Sequence, residues 1–127
     1  MAVVLYLPVN WLAVVAGTAG AFALGGIWYS SKLFGTKWAQ GSHIKPVDGH
    51  PPLALIIHGL GTFFMAWIIG IAISTEAWLV IPLVIFAVAS SVASSCLISQ
   101  KSRYAVITET GFVIANGTIM LFCQAIL

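Results

Sequence analysis

His58, Glu109 and Asn116 are polar or ionisable and lie inside long apolar stretches. Such a group is costly in hydrocarbon and marks a functional site unless a partner compensates it. His58 lies five residues beyond Leu53 and Glu109 five beyond Tyr104, where two expected spans begin. At a helical rise of about 1.5 Å per residue, both sit about 8 Å below the same interface. An imidazole and a carboxylate at one depth can pair, which offsets part of the cost of burying each. Tyr29, Ser30, Ser94 and Ser95 end the other two spans at that level and extend the expected polar cluster. The chemistry open to such a cluster is a proton or ion relay, or a substrate pocket. The competing reading is a polar knot that fixes helix register. Asn116 is the deep member, and a lone asparagine in a span is expected to make an interhelical hydrogen bond.

Other chemistries lack their residues. A histidine within a span can ligate haem or a chlorin magnesium, but His58 is alone and no attachment motif accompanies it, so bound lipid is the one ligand expected. His43, His50 and His58 do not have the spacing of a metal site. Gly59-Leu60-Gly61 follows no strand and is not a nucleotide loop. Asn116-Gly117-Thr118 has the glycosylation pattern but falls inside a span, where no transferase reaches it. Three scattered acidic residues assemble no catalytic triad or carboxylate pair. Cys96 and Cys123 fall at opposite ends of their helices, too far apart to join.

The elements that must position these residues follow from composition. The chain has 127 residues, 61% hydrophobic and 6% charged, with a mean hydropathy of +1.07. A water-soluble domain carries about a quarter charged residues. Eight charged side chains are also too few for a nucleic-acid footprint. The spacing predicts an all-α, four-transmembrane-helix bundle in one domain, with spans at about 9–30, 53–75, 77–99 and 104–127. Pro8 fits a first turn, Pro51-Pro52 can start the second span, and Pro82 is expected to bend the third near its start. The segment Met1-Ala2-Val3-Val4-Leu5-Tyr6-Leu7 lacks a basic leader region, so no cleavable signal is expected.

The connections differ. Spans two and three, and three and four, are joined by turns short enough to force antiparallel neighbours. The first connection is long and carries Lys32, Lys37 and Lys45 against Asp48. Within it, Leu33-Phe34-Gly35-Thr36-Lys37-Trp38 mixes aromatic and basic residues like a loop or helix lying in the headgroup layer. All five Lys and Arg residues fall in the first and third connections, and the second offers only Glu76. The positive-inside rule then places both termini on the non-cytoplasmic side.

Ala13, Gly17, Ala21 and Gly25 recur every four residues and form a small-residue ridge on the first span. Helices in lipid associate through close backbone approach, so this ridge is either an internal seam or a dock for a partner chain. Ala87, Ser91 and Ser95 repeat the theme on the third span, and Gly111 and Ala115 on the fourth.

Asn10-Trp11-Leu12-Ala13-Val14, then Leu24-Gly25-Gly26-Ile27-Trp28-Tyr29-Ser30 and Leu33-Phe34-Gly35-Thr36-Lys37-Trp38, resemble the signature of a widespread bacterial family of small membrane proteins of unknown function. Glu109-Thr110-Gly111 and Asn116-Gly117 echo its end. Ser31 stands where that family usually has proline. The resemblance implies a four-helix fold in the bacterial inner (cytoplasmic) membrane and carries no activity with it.

Three functions are compatible with these features. The first is an accessory or structural subunit of a larger inner-membrane assembly, a bioenergetic one among the options, packing through small-residue faces. The alternative is a small homo-oligomeric transporter or channel using His58, Glu109 and Asn116. An enzyme acting on lipid or quinone lacks a nucleophile, metal site or base pair. Expected partners are therefore the bilayer and either other membrane subunits or a second copy, and no nucleic acid.

Overall fold

The computed structural model describes residues 9–44 and 52–127. The expectations for the Met1–Leu7 leader, Pro8, Lys45, Asp48, His50 and Pro51 lie outside the described residues. Five helices and no strand occur among those described: α1 (Trp11–Trp28), α2 (Gly35–Gly41), α3 (Pro52–Ser74), α4 (Val80–Ile98) and α5 (Arg103–Ile126). All but α2 are long and apolar enough to cross a membrane. The chain is an all-helical, multi-pass membrane protein.

Local chemistry sets the helix ends. Asn10 caps α1 by accepting from Ala13 N at 3.1 Å, and Ser102 caps α5 by accepting from Ala105 N at 3.1 Å. The expected third span starts at Ala77, but α4 begins at Val80 because residues 75–79 close the turn. Pro82 therefore lies in the first turn, where its missing N–H costs no helical hydrogen bond.

Helices α2, α3 and α4 stop in the same way. His43, Glu76 and Gln100 each take a positive φ of 57–60°. The next residue's N–H then reaches back to close the helix: Ile44 to Ala39 O, Ala77 to Ala72 O and Lys101 to Cys96 O, at 2.8–3.0 Å. This is the Schellman arrangement, built here without its usual glycine.

Helix α5 is the hub: it packs against α1, α2, α3 and α4, whereas α1 and α4 make no substantial contact with each other. The core is narrow and rich in small residues. Val14, Ala21, Ala66, Ile69 and Met120 form one cluster, and Ala72, Ile81 and Ile85 another. Most large apolar side chains, Leu12, Ile56 and Leu83 among them, point outward, as bilayer-facing residues must. The α1 ridge lies inside this frame. Ala13, Gly17 and Ala21 are buried, and a Cβ on Gly17 would stand 3.3 Å from Met120 Cα. A Cβ on Gly25 would meet the Phe112 ring at 3.1 Å. The ridge is the α1–α5 seam, and its residues are not free to dock a partner.

Candidate functional site

The aromatic-rich segment after α1 folds into a cap over the first half of α5. Tyr29 to Phe34 make a tight bend, with Phe34 N donating to Trp28 O at 3.2 Å and Gly35 N to Ser30 O at 2.9 Å. The bend leaves no room for a side chain at Gly35, where a Cβ would collide with the Tyr29 carbonyl. Helix α2 is thereby laid across the end of α5. Trp28 Nε1 donates to Thr108 O at 3.0 Å, and Trp38 Nε1 donates to Glu109 Oε2 at 3.1 Å. Tyr29 is held between Trp38 (4.6 Å between ring centroids) and Phe112 (5.1 Å), while Trp28 packs on Phe34 at 4.8 Å. The far end of α2 is tied to the α4–α5 turn by Ser102 N donating to Gly41 O at 2.9 Å, and by His43 Nε2 lying 3.1 Å from Gln100 O.

Glu109 is the anchor of this cap. Its Oε2 also accepts from Lys101 Nζ at 2.6 Å, with both side chains about one-fifth exposed. One carboxylate oxygen thus joins α2, the α4–α5 turn and α5. A charge-assisted acceptor shared by two donors suits a structural clasp: the carboxylate is neutralised, and breaking it would strand two donors.

The expected His58–Glu109 pair is not formed. The Phe112 ring, one turn beyond Glu109 on α5, faces His58 at 5.9 Å and Tyr29 at 5.1 Å. His58, however, points to the bundle surface and packs on Phe22 (5.7 Å) and Phe112. Counting residues from a helix start does not contain the rotation about the helix axis, and that rotation turns His58 away from Glu109. Lys101, from the α4–α5 turn, is the partner of Glu109. Tyr29 takes part through its ring, packed between Trp38 and Phe112. Ser30 bonds only within its own turn, through Ile27 O at 2.7 Å, and Ser94 and Ser95 face away from the bundle.

Asn116 is buried at the core of the bundle, yet its Oδ1 has no hydrogen-bond partner among the described residues. The expected interhelical bond is therefore missing on that side. His58, Glu109 and Asn116 are thus a surface aromatic contact, an occupied ion pair and an enclosed amide, with no bond linking any two of them. No group of three His, Cys, Asp or Glu residues among those described can hold a metal. Cys96 and Cys123 are free.

The other polar feature was only partly visible in the spacing. At 3.6 residues per turn, Ser91 and Ser95 fall on the side of α4 opposite the buried Ala89 and Cys96. Ala87, Ser90, Ser91, Ser94 and Ser95 are all exposed, and the four serines line an open groove together with Ile98 and Ser99. Several threonines in the bundle close bonds to the carbonyl four residues back, as Thr62 does to His58 O at 2.7 Å and Thr108 to Tyr104 O at 2.8 Å, although Thr110 does not. The hydroxyls of Ser90, Ser91, Ser94 and Ser95 make no such bond among the described residues.

These features define a multi-pass, four-span helical protein whose basic end is clasped by an aromatic cap. Residues 12–124 match the family described as "Protein of unknown function (DUF1761)", and the chain belongs to that family. No curated protein and no solved structure matches it.

Proposed function

We propose that this protein is an accessory subunit of a bacterial inner-membrane complex, which it joins through the outer face of α4. The observation that carries this reading is the row Ser90, Ser91, Ser94 and Ser95, exposed on α4, whereas Ala13, Gly17 and Ala21 of the α1 ridge are already buried inside the bundle. A serine hydroxyl facing lipid can at best turn back onto its own helix. Against a neighbouring helix it keeps that option and gains an interhelical donor, while its small size allows close backbone approach. The occupant that fits is a transmembrane helix of another subunit, with small residues and a hydrogen-bonding side chain at the contact.

The topology proposed with it places both termini on the non-cytoplasmic side and the basic connections in the cytoplasm. Its support is the bias of all five Lys and Arg residues to two connections. Each interhelical hydrogen bond in a membrane contributes about 0.6 kcal/mol, so the fit of the backbones must supply most of the affinity.

Solubilisation in mild detergent tests the proposal. The wild-type chain should co-purify with a fixed partner in constant ratio. Replacing Ser91 and Ser95 by Leu should abolish that association while the variant remains folded and in the membrane. Recovery of the wild type as a lone monomer contradicts it, and recovery as a homodimer replaces the subunit reading with self-association. Transport through His58, Glu109 and Asn116 has less support, because the carboxylate is already engaged by Lys101 and Trp38.

A further inference from the structure

The basic end of the molecule has a charge imbalance that the clasp does not absorb. Lys101 is paired with Glu109. Lys32, Lys37 and Arg103 are exposed, and none forms a salt bridge among the described residues. The other described acid, Glu76, sits in the α3–α4 turn at the opposite end.

Lys37 on α2 and Arg103 at the start of α5 are both exposed, and Tyr104 links the two elements. Lys37 Nζ lies 5.5 Å from the centroid of the Tyr104 ring, and Arg103 is the residue before that tyrosine. The bonds from Trp38 to Glu109 and from Ser102 to Gly41 fix α2 against the start of α5, so the two elements carry these bases on one joined end of the bundle. Arg103 opens a spanning helix, which sets this surface at the level of the lipid phosphates. Leu33 and Ile44, about half exposed, flank α2 and supply apolar surface for the acyl boundary beneath.

We infer that the surface formed by Lys37, Tyr104 and Arg103 binds the headgroup of an anionic phospholipid. A zwitterionic headgroup carries its own cation and gains little from two further positive charges. An anionic one gains from both, about one kcal/mol for each base near the surface, equivalent to roughly fivefold in binding. Tyr104 holds the Lys37 ammonium in place through its ring face and leaves it open to the phosphate layer.

The test uses the full chain reconstituted in nanodiscs of equal parts phosphatidylcholine and phosphatidylglycerol, with retained lipids counted by native mass spectrometry after mild release. The wild type should retain phosphatidylglycerol over phosphatidylcholine by about tenfold or more, from two bases acting together. Lys37→Ala with Arg103→Ala should lose most of that preference. Lys37→Arg with Arg103→Lys should keep it, and unchanged tryptophan emission should show that the cap is intact in both. Equal retention of the two lipids by the wild type overturns the inference, as does an unchanged preference in the double alanine variant. Displacement of the lipid by inorganic phosphate, but not by chloride at equal ionic strength, would reassign the surface to a free anion and also overturn it.

Discussion

Helices α1 and α4 carry small residues at the same four-residue spacing, and the fold uses the two faces in opposite ways. Gly17 and Gly25 are pressed against Met120 and Phe112 of α5, and Ala13 and Ala21 are buried beside them. Ala87, Ser91 and Ser95 look out of the bundle. The difference lies in what stands between the small residues and in the hub they serve. On α1 the ridge is purely apolar and fits the narrow contact with α5. On α4 the buried residues are Ile81, Ile85, Ala89 and Cys96, with Ile85 against Gly117 of α5, and the serines are left over on the far side. Small residues in a span therefore mark a close contact without saying with whom, and the hydroxyls are what distinguish the unfinished face.

The largest effect that can break this comparison is steric. Gly17→Ile would push a branched side chain against the Met120 backbone and should destabilise the bundle by about 1–3 kcal/mol, read by equilibrium unfolding in mixed micelles. An unchanged midpoint would mean that α1 and α5 are not seamed there. Next comes the clasp. Glu109→Ala removes the acceptor shared by Trp38 and Lys101 and should cost about 1 kcal/mol after allowance for partial solvent screening. Its signature is a red shift of tryptophan emission as Trp38 leaves its site. A smaller gain is expected where α4 ends. Gln100→Gly relieves a left-handed residue and should raise stability by up to about 1 kcal/mol, seen as a higher thermal midpoint. Ser91→Ile completes the set: within about 0.5 kcal/mol of the wild type in isolation, since its side chain meets only lipid there.

The spans and their antiparallel order were legible because apolar length and short polar turns determine them almost alone. The segment around Trp38 was legible as an interfacial element, but not as a lid on Glu109. Its anchoring depends on where an indole N–H arrives after a six-residue bend, and periodicity does not encode that. The His58–Glu109 expectation failed for a related reason. Counting residues from a helix start gives height in the membrane, whereas the angle around the axis is set by which neighbours pack where. Lys101 reached Glu109 from a turn, outside any helical register. Asn116 was legible as a buried polar residue, and its missing partner was not.

Site-specific photo-crosslinking in native membranes tests the central claim most directly. A photoreactive residue placed at Ser91 or Ser95 should give one discrete protein adduct in near-stoichiometric yield, larger than the mass of a second copy allows. The same probe at Ile56, exposed on α3, should give lipid adducts alone. Lipid adducts at all three positions would contradict the account, because the serine face would then be ordinary bilayer surface.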